Sequence, residues 1–126
     1  MKANQREFNK EEFKRRLYQF ILKLIEFIDS LPKDRVSFIM GDQLLRSGTS
    51  ILGNYIEGQS ASSRKEFLTF IQRCLKSSNE SKLWLAILRD SGRVTKEKTE
   101  WFLKELNDYS NIFASTILTI KGKKSI

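Results

Sequence analysis

The sequence predicts an all-α protein, an antiparallel up-down-up-down four-helix bundle forming one domain over residues 1–126, on three observations. Four long stretches repeat apolar residues at alternating steps of four and three, the spacing that keeps one face of an α-helix apolar. The breaks between them are a few residues long, so consecutive helices must fold back on one another. One Pro and six Gly in 126 residues are too few to punctuate a sandwich or barrel of many short strands.

The first helix is expected over about 10–30. Phe13, Leu17, Phe20, Leu24, Phe27 and Leu31 form its seam. Asn9 with Glu12 reads as a capping box, and Pro32 stops the helix. The second runs from about 34 to 57, with Gly58 expected as a left-handed cap. Leu44, Leu45, Ile51, Leu52, Tyr55 and Ile56 share one arc; Gln43, Ser47, Ser50, Asn54 and Glu57 share another. Gly48 costs about 1 kcal/mol relative to Ala in a helix interior. The run Ser47–Ser50 therefore suggests a place where neighbouring backbones approach closely. Whether that polar stripe is solvated, buried or a recognition surface is open at this level.

Ser63 and Glu66 open the third helix, about 63–91, whose apolar face reads Phe67, Phe70, Ile71, Cys74, Ser78, Ser81, Leu85 and Leu88 before Gly92 ends it. Thr95 is the N-cap of the fourth, about 95–121, with the seam Phe102, Leu106, Tyr109, Phe113, Thr116 and Ile120. The basic tail at 121–124 is expected to fray. At roughly 1.5 Å per residue each rod is about 30–40 Å long.

Composition narrows the chemistry. With 23 Lys and Arg against 15 Asp and Glu, the net charge is +8, and the pI is near 9.7. Hydrophobic residues make up 40% of the chain, enough for a core and too many for a disordered basic tail. Histidine is absent, which removes the usual triads, histidine acid–base chemistry and most zinc sites. Glu57 and Glu80 could converge between helices two and three, but a di-iron bundle needs Glu-x-x-His motifs as well. No catalytic residue, metal or cofactor is expected, and the protein reads as a non-enzyme. The single cysteine, Cys74, suits a reducing compartment and the core. No membrane span or secretory leader is expected, which makes a soluble cytoplasmic protein the expectation.

The excess charge falls on the first helix, the third helix and the C-terminal segment. On the third, Arg64, Lys82 and Arg89 lie on one flank and Lys65, Arg73 and Lys76 toward the other. With Lys121, Lys123 and Lys124 they are the candidate phosphate contacts for nucleic acid, RNA rather than DNA, with little base specificity. An ordinary basic surface fits the same residues. Glu80 stands one turn from Lys76, which allows an ion pair. Trp84 and Trp101, beside the seams, suit either internal packing or a subunit contact. A protein-interaction scaffold, or an accessory subunit of a nucleic-acid enzyme such as a reverse transcriptase, is the alternative.

The stretch from Gln43 to Gly58, QLLRSGTSILGNYIEG, resembles the distinctive block of the bacterial four-helix-bundle proteins encoded within intervening sequences of large-subunit ribosomal RNA genes. Lys65-Glu66-Phe67-Leu68-x-Phe70, with Ser77-x-x-Glu80 and Trp84-Leu85, is similar to that family's second block. The resemblance spans about Phe13 to Ile120. It marks Gln43, Ser50, Asn54, Glu57, Gly58 and Glu80 as signature positions with structural or interface roles. It implies a homopentamer and distant kinship with the accessory protein of diversity-generating retroelements, which engages a reverse transcriptase and nucleic acid. Two positions depart from the pattern: Tyr55 stands where Ile or Val is usual, and Gly48 replaces the common Ala.

Overall fold

A computed structural model describes residues 8–125 of the chain, with side chains from 8 to 122. Four helices follow in order: α1 (Lys10–Asp29), α2 (Arg35–Gln59), α3 (Arg64–Asp90) and α4 (Lys96–Ser125). No strand occurs among the described residues. None of the helices is long and apolar enough to cross a membrane.

Local chemistry accounts for the helix starts. The side chains of Asn9, Asp34 and Ser63 accept from the backbone N–H three residues on, at 3.0, 2.9 and 3.0 Å, and Thr95 does the same for Lys98 at 3.3 Å. Each satisfies a donor with no partner inside its helix. The capping box of α3 is displaced by one residue. Glu66 Oε1 accepts from the backbone N–H of Ser62 at 2.7 Å, not from that of Ser63.

The α3 terminus is a Schellman motif built on Gly92, whose φ is +79°. Arg93 N donates to Leu88 O and Gly92 N to Arg89 O, both at 3.0 Å, the paired bonds that such a cap requires. Gly58 plays no such part. It lies inside α2, which continues to Gln59, and Gly92 is the only positive-φ residue among those described. At the other end of the chain α4 continues to Ser125, so the basic tail is helical and not frayed past 121.

Cross-helix contacts set the topology. Phe13 meets Tyr55 while Gly48 meets Leu24, so α2 runs antiparallel to α1. Ser47–Ser81 and Ser50–Ser77 set α3 antiparallel to α2, and Asn79–Ser110 with Lys82–Asn107 set α4 antiparallel to α3. Phe13 against Phe113 and Phe27 against Phe102 close α4 back on α1. This is the expected up-down-up-down bundle.

The bundle is lopsided. The α2 and α3 backbones approach most closely and those of α1 and α4 least, which follows from the side chains between them. Serines and Gly58 line the narrow seam. Phe13, Phe20, Phe27, Trp101, Phe102 and Tyr109 fill the wide one in edge-on and stacked pairs 5.0–6.0 Å apart. Aromatic pairs at such spacing add to the area they bury. Phe20, Leu24, Leu44, Cys74, Leu85, Leu88, Leu106 and Tyr109 are at most 1% exposed and form the centre of the core. Two members of the apolar arc expected on α2 are not core: Leu45 and Ile56 face outward, because the arc is wider than the strip that α1 and α3 cover.

Candidate nucleic-acid interface

The polar stripe of α2 divides between structure and surface. Ser47 is buried and its hydroxyl meets that of Ser81 at 2.7 Å. Ser77 Oγ donates to Ser50 Oγ at 3.0 Å. Asn54 Nδ2 donates to the Ser50 carbonyl and hydroxyl, each at 2.9 Å. One rung lower, Cys74 Sγ donates to Ile51 O at 3.5 Å, and Gly58 lets Phe70 and Phe67 close over it. The serines thus satisfy one another inside a narrow helix–helix seam, as buried hydroxyls must. Gln43, Glu57 and Glu80, by contrast, are exposed. The signature positions are therefore of different kinds: Ser50 and Gly58 hold α2 to α3, Asn54 bonds back onto Ser50 within α2, and Gln43, Glu57 and Glu80 are exposed. Ser77 and Ser81 complete the seam; a small polar residue every turn on α3, matching the stripe on α2, was the available signal for the pairing.

The seam holds no reactive group. Burial pushes the Cys74 thiol up to about 12, far from a thiolate at neutral pH. Burial likewise raises Tyr55 to about 12, and its hydroxyl has no hydrogen-bond partner among the described residues. No group of three or more potential metal ligands lies together among them either.

The cations sort into tied and untied. Arg16 reaches from α1 to α4, with Nε on Glu105 at 2.9 Å, Nη2 on the other Glu105 oxygen at 3.0 Å, and Nη2 on Asp108 at 2.9 Å. Those bonds raise its pKa, and its guanidinium also lies over the Tyr109 ring at 5.1 Å. Burial alone would raise Glu105, but the bonds from Arg16 and Tyr109 hold it below the usual carboxylate value. Arg93 clips the α3–α4 turn to the α2 N-cap through Asp34 at 3.2 Å.

The candidate phosphate contacts are less uniform than their spacing suggests. Arg89 is paired with Asp90 at 2.8 Å, so its charge is largely cancelled. Lys82 is half-buried and bonded to Asn107 at 3.3 Å. Arg73 lies over the Phe70 ring at 5.3 Å with its charge open to solvent. Arg64, Lys65 and Lys76 are exposed with no carboxylate among the described residues within ion-pair distance, and Lys76 makes no pair with Glu80. The α3–α4 register places exposed Lys121 at the end of the bundle where α3 begins, near Arg64 and Lys65. The side chains of Lys123 and Lys124 lie outside those described. The structure therefore separates an open cationic row of Lys65, Arg73 and Lys76 along one flank of α3, with open Arg64 on the other flank at its start, from cations spent on internal pairs.

Comparison with known proteins agrees with this architecture. The sequence model of the 23S rRNA-intervening sequence protein family matches residues 9–115. The chain is also similar to a protein of unknown function from the S23 ribosomal protein family of Bacteroides thetaiotaomicron, whose crystal structure was determined at 1.70 Å. The two are 30% identical, with a TM-score of 0.77 over 82% of this chain and 96% of that one. No curated protein sequence matches the chain.

Proposed function

The chain belongs to the 23S rRNA-intervening sequence protein family, and from that premise we propose that it is a non-enzymatic, self-associating cytoplasmic bundle that binds structured nucleic acid. Phosphate contacts along α3 would do the binding. The observation that carries this reading is the row Lys65, Arg73 and Lys76 on one flank of α3, with Arg64 at its start, all exposed and unpaired with carboxylates among the described residues on a chain of net charge +8. Unneutralised cations along one rod attract a polyanion because each phosphate contact releases condensed counterions. Exposed side chains on a helix surface, lysines among them, suit phosphate oxygens, which carry no sequence information, so structure in the nucleic acid would be recognised over sequence. RNA is favoured over DNA because the family's description ties it to ribosomal RNA genes. The inert, buried Cys74 suits a reducing compartment.

Fluorescence anisotropy with a labelled ribosomal RNA hairpin tests the reading. Four contacts predict that log K falls with log salt at a slope of about −3 to −4. Replacing Lys65 or Lys76 with Ala should weaken binding for all sequences alike and reduce the slope by about one unit. Absence of binding at 25 mM salt, or an unchanged slope in the Lys65→Ala/Arg73→Ala/Lys76→Ala variant, refutes it.

A further inference from the structure

The aromatic side chains that fill the wide seam between α1 and α4 do not close it. Trp101 remains 42% exposed. Its indole stacks on buried Phe20, with centroids 6.0 Å apart and planes 24° apart, and Phe102 meets it edge-on at 5.1 Å. The ring is thus fixed on the core from one side while much of it stays open to solvent. Beside it lies a groove of about 390 Å³, floored by Phe27 and Phe102, within the size range of small-molecule sites. Its rim carries few polar groups, of both signs. Lys23 from α1 and Lys98 from α4 supply cations, and Lys23 Nζ lies 5.4 Å from the centre of the indole. Glu26 supplies a carboxylate. Ser30 supplies a hydroxyl whose hydrogen is given to the Phe27 carbonyl at 2.7 Å, which leaves its oxygen an acceptor. Lys23, Glu26 and Lys98 are exposed, and none is in an ion pair among the described residues. Lys23 and Glu26, three apart on one helix, could neutralise each other; the ammonium goes to the ring instead and the carboxylate stays open.

We propose that this α1–α4 groove binds a guanine nucleotide, with the base against Trp101, its edge on Glu26 and its phosphate between Lys23 and Lys98. The ligand class follows from the groups present. A fixed, exposed indole is a stacking platform for a base. The paired cations select a base that carries phosphate over a neutral ring. Among the bases, guanine alone presents adjacent donors on its Watson–Crick edge, N1–H and the N2 amino group, and a carboxylate accepts both at once. Adenine and cytosine set a lone-pair nitrogen beside their amino group, and uracil flanks its N–H with carbonyls, so each would turn an acceptor toward Glu26. Phosphate binding draws the Lys23 ammonium off the indole and frees the ring for the base. The same chemistry comes from a free nucleotide or from an unpaired guanosine in a folded RNA. No residue of α3 lines the groove, so this site stands apart from the α3 phosphate contacts and can fail or hold without them.

Tryptophan fluorescence tests the proposal. Trp84→Phe leaves Trp101 as the single tryptophan of the chain. In that background GMP should quench the emission saturably, at least about tenfold more tightly than AMP, CMP or UMP. Calorimetric titration of the unsubstituted chain with GMP should give the same affinity. Glu26→Gln should erase the preference for GMP, because an amide offers one acceptor where a carboxylate offers two. Lys23→Ala/Lys98→Ala should weaken GMP by about tenfold and leave unphosphorylated guanosine unchanged. Circular dichroism confirms folding of these variants, whose altered positions are all exposed. Binding of GMP by itself supports the site with a free nucleotide as the source. A hairpin with one bulged guanosine that quenches at least about tenfold more tightly than GMP, where its fully paired counterpart does not, supports it with RNA as the source. No quenching by either, equal quenching by all four nucleotides, or an unchanged preference in Glu26→Gln overturns the proposal. A blue shift on raising the protein concentration without nucleotide gives the groove to a second copy and also overturns it.

Discussion

Gly48 reports how tightly α1 and α2 are pressed together, and replacing it sets two terms against each other. In a solvated helix Gly48→Ala would stabilise by about 1 kcal/mol through lost backbone entropy in the unfolded chain. Here a Cβ would overlap Leu24 Cδ2 and touch Phe20 Cε2 at 4.0 Å. Leu24 is 0% exposed and Phe20 1%, so neither ring nor methyl can swing into solvent, and overpacking costs about 1–3 kcal/mol. The net expectation is a loss of about 1 kcal/mol. Leu24→Ala alone should cost about 2–5 kcal/mol by opening a cavity. In the double variant the overlap is gone, the helix gain is recovered and the new methyl occupies part of the cavity, so the two changes should couple favourably by about 1–3 kcal/mol. Urea unfolding followed at 222 nm supplies the stabilities, provided the slopes agree. If Gly48→Ala stabilises by about 1 kcal/mol and adds simply to Leu24→Ala, the close approach is wrong. The same contact accounts for a glycine in the middle of α2.

Other substitutions follow from single features. Tyr55→Phe should be neutral or stabilising by up to about 1 kcal/mol in a thermal melt, because it removes a buried hydroxyl that has no partner; a loss above about 1 kcal/mol would reveal an unseen bond. Gly92→Ala should cost about 1–2 kcal/mol, since φ is +79° and an L-residue is strained there, with Gly92→Asn costing less. The depressed Glu105 carboxyl contributes stability that is complete above the unfolded carboxylate pKa of about 4.3 and is lost as pH falls through the lower folded value. Glu105→Gln should flatten that acid limb, by no more than about 1 kcal/mol because Arg16 is 37% exposed; an unaltered limb would show that the Arg16 pair contributes nothing.

The helices, three of their four N-caps (Asn9, Ser63 and Thr95), the Gly92 terminus and the core seams were legible because each rests on residues close in sequence. Asn9, Asp34, Ser63 and Thr95 find partners three residues away, Gly92 relieves its own backbone, and Phe13-Leu17-Phe20-Leu24-Phe27 lie on one face whatever packs there. The candidate interface was only half legible. Charge spacing placed Lys65, Arg73 and Lys76 on the third helix, but Arg89, at comparable spacing, is cancelled by its neighbour Asp90. Gly58 looked like a terminator, yet its missing side chain serves Phe67 and Phe70 on another helix.

Periodicity says which way a helix presents its face and nothing about what stands opposite. The amino-acid order alone therefore determined four amphipathic rods and the excess of positive charge. Only the register between rods decided that Ser47 and Ser50 meet Ser81 and Ser77, that Arg16 is bound to Glu105 and Asp108, and that Tyr18, Leu22 and Ile25 are left outside. Those outcomes depend on distances between residues 27 to 92 positions apart, where many alternative pairings share one hydrophobic pattern and packing selects among them.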